Sequence, residues 1–273
     1  MRLHMLVALF CLLSTSIFAN ESFTMVALGD SITTAYNATG IGNNRELSWS
    51  TGSDGRVQSH ALRFAKALQT NVHATNVAKA GAKTTDLAGQ WGKVQDQSLD
   101  YATLLIGAND LCSWHSDEDI KNNLEDLRDN VALIVEDMVA RNPKIVINLL
   151  PLPNLYNVER LGHDRIGCQA VWNFIPLCDK LLGSSRTEAE RRAVQDLVER
   201  ANDQYEILAQ QHANLKFHRA LTSEDFTRDD ISTIDCFHPS LQGQQRIAEE
   251  SFKAVFPNGD EDVRRLKHPL VKK

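Results

Sequence analysis

Short apolar runs alternate with helical patterns along most of the chain, and this alternation restricts the fold more than any other feature. The runs typical of strands are "FTMVALG", "NVHATNVA", "YATLLIG", "KIVINLL" and, more weakly, "LKFH". The third is continuously apolar, as expected for a strand covered on both faces. Strands that alternate with helices predict an α/β fold with a parallel sheet and helices on both of its faces.

Four amphipathic helices are predicted between and after these strands. In each of them apolar residues recur every three or four positions, which places them on one face of a helix. The predicted ranges are 57–68, 120–138, 187–212 and 241–255. With 273 residues, of which 42% are apolar, the chain is long enough to bury one sizeable core.

The first residues have the pattern of a secretory signal peptide, which we assign to residues 1–19. A short basic region precedes the apolar run from Met5 to Leu13, and Ala19 offers a small residue for cleavage. The run is too short to span a membrane. The sequence therefore predicts a secreted or periplasmic protein with one domain over residues 20–256. A charged, mobile tail over residues 257–273 is expected to follow.

Charge and ligand spacing exclude several function classes. The formal net charge of −6 disfavours nucleic acid as a partner, because phosphate binding needs a basic surface. The histidines are scattered, and none pairs with another at the spacing of metal ligands. We therefore expect neither a metal nor an organic cofactor.

Four cysteines remain once Cys11, inside the predicted signal peptide, is set aside. An even number in an exported chain indicates two disulfides, and three pairings are possible. Close spacing favours a bridge between Cys168 and Cys178, which would leave Cys112 to pair with Cys236. Four free, buried thiols are the alternative. A zinc site is disfavoured because the chain has no CxxC pair.

Small and polar residues follow the predicted strands. Ser31 follows the first strand, Gly81 the second and Asn109 the third, while His238 precedes the last helix. Because the carboxyl ends of parallel strands share one edge of a sheet, we expect these residues to converge in one cleft.

This set of residues suits acyl transfer. A serine hydroxyl becomes a nucleophile when a base takes its proton, and His238 is the candidate base for Ser31. Asp235 lies three residues before His238 and can orient it. The backbone N–H groups of Ser31 and Gly81 and the side-chain amide of Asn109 are suitable donors for an oxyanion.

Four motifs make the sequence resemble the SGNH, or GDSL, family of serine hydrolases: "GDSIT", "NVAKAG", "GAND" and "DCFHP". The resemblance implies a flavodoxin-like fold, a three-layer α/β/α sandwich around a five-stranded parallel sheet. It also implies an esterase that works through an acyl-enzyme. The namesake residues of the family map onto Ser31, Gly81, Asn109 and His238, with Asp235 as the triad acid.

Longer stretches resemble the phospholipase B branch of that family, among them "ELSWSTGSDG", "NVAKAGAKTTDLAGQ" and "DCFHPSLQGQ". The cysteines after "GAND" and inside "DCFH" belong to the pattern of that branch. The resemblance implies an enzyme that hydrolyses acyl esters of phospholipids and lysophospholipids. We expect a monomer that contacts a membrane surface transiently. Asp30, Trp49 and Phe237 are candidates for the substrate pocket. We expect the segments 37–55 and 152–185 to determine specificity.

Two alternatives remain open. The first is a short-acyl or carbohydrate esterase on the same scaffold, because families of this kind change substrate through their loops. The second is an inactive relative that binds a lipid or glycan, which an intact set of nucleophile, base and acid disfavours. An α/β-hydrolase lipase is disfavoured, because the sequence has no G-x-S-x-G motif.

Overall fold

Five parallel strands form the single sheet of the computed structural model, which describes residues 22–113, 117–175, 177–222 and 226–267. The signal peptide predicted for residues 1–19 lies outside the described residues. The strands are β1 (Phe23–Gly29), β2 (Val72–Asn76), β3 (Tyr101–Leu105), β4 (Val146–Leu149) and β5 (Leu215–Phe217). Their order is β2-β1-β3-β4-β5, and every neighbouring pair is parallel. This arrangement confirms the predicted fold class.

Helices connect the strands and cover both faces of the sheet. They are α1 (His60–Leu68), α2 (Leu87–Trp91), α3 (Ala108–Ser113), α4 (Asp117–Arg141), α5 (Leu155–Gly162), α6 (Ile166–Phe174), α7 (Asp179–Leu182), α8 (Glu188–Gln211), α9 (Leu241–Val255) and α10 (Asp260–Lys267). The four predicted helices correspond to α1, α4, α8 and α9. The remaining helices have nine residues or fewer, too few for a helical period to stand out in the sequence.

Alternate residues of β1 belong to the cores on opposite faces of the sheet. Val26 and Leu28 share a buried cluster with residues of α2, α4 and α8. Phe23 and Met25 belong instead to an aromatic cluster with α1, α9 and α10. This alternation follows from the two-residue period of a strand, and it produces the three layers of the sandwich.

The segment expected to be a mobile tail contains a packed helix. Helix α10 lies against α1, and its Val263 is fully buried in the cluster of Phe23. Acidic residues occupy its first turn and basic residues its last turn, which favours the helix dipole. The prediction of a mobile tail is therefore wrong for residues 260–267. Val263 is the one buried residue of α10 and is surrounded by charged residues, so the sequence shows no apolar periodicity that would predict the helix.

Two disulfides join Cys112 to Cys178 and Cys168 to Cys236, with Cα–Cα distances of 4.7 and 5.4 Å. The pairing expected from the sequence is therefore wrong, although the four cysteines do form two bridges. Cys168 lies in the first turn of α6, and the rest of that helix carries the chain roughly 9 Å away before Cys178. Closeness in sequence therefore does not bring Cys178 beside Cys168, and each of the two pairs with a cysteine distant in sequence.

We expect peptide mapping without reduction to recover the links 112–178 and 168–236 and no link 168–178. In the chain-entropy account of disulfides, a loop of this length stabilises the folded state by about 4 kcal/mol. The double variant Cys112→Ala/Cys178→Ala should lose a free energy of unfolding of that order in urea denaturation. A peptide containing both Cys168 and Cys178 in one disulfide would contradict the structure.

Candidate active site

The turn after β1 is fixed by contacts that only glycine permits at position 29. Gly29 has a φ of 149°, and a Cβ there would lie 2.4 Å from the carbonyl oxygen of Leu105. The side-chain amide of Gln90, in α2, accepts from the N–H of Gly29 and donates to its carbonyl, both at 2.9 Å. The turn therefore presents Ser31, two residues later, in one defined position.

The loop before α9 brings a histidine to this serine. Nε2 of His238 lies 2.8 Å from Oγ of Ser31, and Nδ1 of His238 lies 2.6 Å from Oδ2 of Asp235. The other carboxylate oxygen of Asp235 accepts the backbone N–H groups of Phe237 and His238. When Nδ1–H donates to the carboxylate, Nε2 is free to accept the proton of the serine hydroxyl. All three side chains are buried.

Asn37 is a further member of this arrangement, and its role is not evident from the sequence. Its Nδ2 donates to Oδ2 of Asp235 at 2.7 Å, the same oxygen that faces the histidine. Asn37 has a left-handed φ of 56°, its Oδ1 accepts the N–H of Gly42, and its carbonyl accepts the hydroxyl of Ser232. Asparagine tolerates this conformation better than most residues.

Burial opposes ionisation of Asp235, but its hydrogen bonds outweigh that effect. The bonds from His238 contribute most, Asn37 adds to them, and the pKa of Asp235 is lowered as a result. Asp235 is therefore ionised at neutral pH and can stabilise a positive charge on the imidazole.

Each of the three groups predicted to donate to an oxyanion keeps an N–H without a protein acceptor in the described part of the chain. Ser31 and Asn109 line the pocket described next, and Gly81 does not. Gly81 has a left-handed φ of 78°, and the space where a Cβ would lie is open. The side-chain amide of Asn109 donates one N–H to the carbonyl of Ala82 at 2.9 Å, which leaves its second N–H. Among the described residues, the backbone N–H groups of Ser31 and Gly81 donate to no protein acceptor.

An apolar pocket opens beside Ser31. Among the predicted site residues, those that line it are Asp30, Ser31, Asn109, Phe237 and His238. Apolar residues not predicted from the sequence make up most of the remaining wall, including Leu105, Pro151, Leu155, Val158, Phe226 and Ile231. Helix α5 contributes Leu155 and Val158, which places the segment 152–185 at the pocket as expected. No residue of the segment 37–55 lines the pocket, so that part of the prediction is wrong.

A sequence profile described as the GDSL-like Lipase/Acylhydrolase family matches residues 27–246, which is more than half of the chain. The chain belongs to this family. Membership places the described domain among the carboxylic ester hydrolases, as its motifs predict. The matched residues include the whole arrangement of Ser31, Asp235 and His238.

Relatives and solved structures agree with this family. The chain is 24% identical to the membrane-associated phospholipase B1 of Rattus norvegicus in an alignment that covers 82% of this chain and 18% of that protein. The chain spans less than a fifth of the length of the curated relatives it matches, with shares of 8%, 18% and 11%.

Two solved structures have the same fold. The lipase Lip_vut3 from a goat rumen metagenome has a TM-score of 0.55 and 18% identity, covering 85% of this chain and 97% of that chain. Phospholipase A1 from Streptomyces albidoflavus NA297 has a TM-score of 0.53 and 20% identity, covering 88% and 100%. At this level of identity the likeness shows a shared fold.

Trp49 does not line the pocket of this GDSL hydrolase, and its prediction as a pocket residue is wrong. The side chain is fully buried in a cluster that also contains Leu105 and Ile247, both of which do line the pocket. Its ring meets His60 edge-on at 5.2 Å between centroids. The burial of Trp49 depends on residues distant in sequence, such as Leu105 and Ile247, and the motif around Trp49 does not reveal these contacts.

Asp30 is a buried carboxyl group on the pocket wall. Its Oδ1 accepts the N–H of Ile32 at 2.9 Å. Burial raises the pKa of Asp30 to about 7; the nearby Asp110 adds to the increase, while the bond from Ile32 and the charge of His238 oppose it. Asp110 is likewise buried, which raises its pKa, while its bonds from Thr84 lower it in part.

No group of three or more His, Cys, Asp or Glu side chains lies close enough to hold a metal ion in the described part of the chain. Within the same residues, no helix has both the length and the apolar character required to cross a membrane.

We expect Asn37→Gly to reduce the free energy of unfolding by about 1.5–3 kcal/mol near pH 7, and by less near pH 3. Glycine adopts the φ of 56° readily, so the change removes the two side-chain bonds, to Asp235 and from Gly42, without backbone strain. Only the bond to Asp235 depends on an ionised carboxylate, so the pH dependence reports on that bond. Because the folded pKa of Asp235 is lowered, its stabilisation is present above the unfolded pKa and is lost as pH falls through the folded pKa.

Urea denaturation at both pH values measures this effect. The matched control is Gln69→Gly, which also replaces a left-handed residue, with a φ of 52°, at the exposed end of α1. That control should change stability equally at both values. An equal effect of Asn37→Gly at the two pH values would contradict the role given to its side chain.

Asp30→Asn should become progressively more stable relative to the parent as pH rises from about 4 to about 7. The folded pKa of Asp30, about 7, lies above the unfolded value of 3.8, so stability from its protonated form is lost across this window. An asparagine does not titrate, and its Oδ1 can still accept the N–H of Ile32. Unfolding free energies measured across the window test this, and parallel pH curves for the two proteins would refute it.

Proposed function

We propose that this protein is a secreted serine esterase that hydrolyses lipid acyl esters through an acyl-enzyme. The observation that carries the proposal is the hydrogen-bonded series Ser31–His238–Asp235 at the edge of an apolar pocket. Ser31 is the proposed nucleophile, His238 the base and Asp235 the residue that orients it. The donors on Ser31, Gly81 and Asn109 form the proposed oxyanion hole.

In the first half-reaction, Oγ of Ser31 attacks the ester carbonyl carbon while its proton passes to Nε2 of His238. The carbonyl oxygen becomes an oxyanion, which the three N–H donors stabilise. When the tetrahedral intermediate collapses, the C–O bond to the alcohol breaks. The alcohol leaves with the proton from His238, and the acyl group remains on Ser31.

In the second half-reaction, a water molecule gives a proton to His238 and attacks the acyl-enzyme. The bond to Oγ of Ser31 then breaks, His238 returns the proton to Oγ, and the carboxylic acid leaves. Asp235 stays ionised throughout, which agrees with its lowered pKa. The steps need no metal and no organic cofactor.

The pocket supports a lipid substrate because its wall is mainly apolar. An acyl chain bound there would contact side chains such as Leu155, Val158 and Phe226. Each buried methylene contributes about 0.8 kcal/mol, or roughly a fourfold gain in affinity. Asp30 and His238, two polar residues of the wall, lie beside Ser31, where the ester itself would lie.

Two disulfides and the predicted signal peptide support export to an oxidising compartment. We propose that the enzyme is a monomer that acts on a small-molecule or lipid ester, without nucleic acid as a partner, and that it meets lipid surfaces transiently.

The first assay compares p-nitrophenyl esters from acetate to palmitate, with the parent and Ser31→Ala side by side. We expect kcat/KM of the parent to rise with chain length up to the capacity of the pocket. Ser31→Ala should lower kcat by at least about 10⁴-fold, because the nucleophile is lost. The unfolding transition of the variant verifies its fold.

The matched control is Ser50→Ala. Ser50 is also a buried serine, and its Oγ lies 2.7 Å from Oγ1 of Thr103 in the core, away from the pocket. This control should keep nearly full activity. A preference for acetate would favour the short-acyl or carbohydrate esterase. A folded parent that turns over no ester, lysophospholipid included, would favour a binding protein.

A further inference from the structure

Helix α6 has an outward face without charge. Its sequence, IGCQAVWNF, contains no charged residue, although 23% of the chain is charged. Ile166, Ala170 and Phe174 are four residues apart and therefore lie along one stripe, with Gly167 beside them. All four are exposed, and Ile166 and Phe174 are 86% and 88% exposed. We call these four residues the α6 face.

Large exposed apolar side chains concentrate at this helix. Six occur among the described residues, and three of them, Ile166, Phe174 and Ile175, lie within ten consecutive positions. Single apolar residues on a surface are ordinary, but a contiguous patch marks a site of interaction. We therefore expect the α6 face to bind a partner with an apolar surface.

The inner side of α6 holds the helix firmly against the domain. Cys168 is buried and forms the disulfide with Cys236, next to the proposed triad acid. Trp172 is also buried, and its Nε1 donates to the carbonyl oxygen of Asp235 at 3.1 Å. At Gly162 a Cβ would lie 2.6 Å from the ring of Trp172, so glycine permits this close packing. The exposure of the outer face does not arise from a loosely attached helix.

The same segment of chain connects the α6 face to the substrate pocket. Helix α5 lines the pocket with Leu155 and Val158, and three residues separate α5 from α6. Phe237, beside the bridged Cys236, is half-buried and also lines the pocket. The α6 face is therefore connected, through α5 and through the Cys168–Cys236 bridge, to elements that line the pocket.

The charges around the α6 face favour an anionic partner. Within residues 155–175 the two carboxylates are ion-paired, Glu159 with Arg191 and Asp164 with Arg228. Arg160 and Arg165 form no ion pair with a carboxylate in the described chain. With the partners Arg191 and Arg228 included, this group contains four arginines and two carboxylates, whereas the whole chain has a net charge of −6.

We propose that the α6 face docks the enzyme onto a phospholipid aggregate, a micelle or bilayer, that holds the ester substrate. Ile166 and Phe174 would enter the acyl region while Arg160 and Arg165 meet the phosphates, as in other interfacial helices. Four residues on one short helix offer less area than the roughly 800 Å² per partner of a standard protein interface. A lipid surface is therefore favoured over a second copy of the chain. The inference rests on the proposed lipid substrate.

The test uses the double variant Ile166→Ser/Phe174→Ser and vesicles of phosphatidylcholine mixed with phosphatidylglycerol. Binding is measured by co-sedimentation, and turnover is measured on the vesicle lipid and on monomeric p-nitrophenyl butyrate. We expect vesicle binding and vesicle turnover to fall by about tenfold to a hundredfold, since two large apolar side chains are lost from the acyl region. Hydrolysis of the monomeric ester should stay within about twofold, which also shows that the variant is folded.

The matched control is Leu133→Ser/Ile207→Ser, which replaces exposed apolar residues on α4 and α8 and should bind vesicles like the parent. Undiminished vesicle binding by the α6 variant would overturn the proposal. So would a parent that sediments as a dimer and an α6 variant that sediments as a monomer. If the parent hydrolyses no ester yet binds vesicles through the α6 face, the proposed function fails while docking stands.

Discussion

The hydrogen bond between Ser31 and His238 joins two loops that are 207 residues apart in sequence, and its length of 2.8 Å depends on both loops being rigid. The serine side is fixed by the close approach of Gly29 to the backbone of Leu105 and by the two bonds of Gln90. Strand β1 lies in the interior of the sheet, where it pairs with both β2 and β3. The turn that follows β1 is therefore anchored to a rigid part of the sheet. A displacement of either loop by less than the width of an atom would break this hydrogen bond.

The histidine side obtains its rigidity from the carboxylate of Asp235, which accepts four hydrogen bonds. Two of them come from backbone N–H groups of its own loop, so the same charge that orients the imidazole also fixes the loop. Burying a carboxylate costs several kcal/mol unless it is hydrogen-bonded in this way. Asn37 and Cys236 both have a left-handed φ of 56°, which costs of order 1–3 kcal/mol each. Hydrogen bonds from Gly42 and Ser232 keep Asn37 in this conformation, and the disulfide to Cys168 keeps Cys236 in it.

The features that the sequence predicts well are those that depend on short-range order. The strands and long helices have clear periods, and a parallel sheet gathers the ends of its strands, so Ser31 and Asn109 could be placed at one pocket. His238 follows no strand, and its motif before the last helix placed it there. Asn37 could not be placed, since its contact with Asp235 spans 198 residues and no motif surrounds it. The disulfide pairing could not be predicted for a related reason: most of the short helix α6 lies between Cys168 and Cys178, and each of these cysteines pairs with one 68 or 66 residues away in sequence. Trp49 shows that an aromatic residue inside a loop motif can belong to the core, because burial depends on distant helices.

The two disulfides attach the segment between α5 and α7, which contains the α6 face, to two elements of the candidate active site. One bridge ties α6 to the loop of Asp235, and the other ties the start of α7 to the end of α3, the helix that begins beside Asn109. The loop of the proposed base and the helix of the proposed oxyanion donor are thus covalently attached to the same short stretch of chain. Helix α6, whose outer side is the proposed docking surface, is held through Cys168 and Trp172 at Cys236 and Asp235. Rigid attachment would therefore serve the proposed docking and the proposed chemistry together, because it would keep Ser31, His238 and Asp235 aligned on a lipid surface.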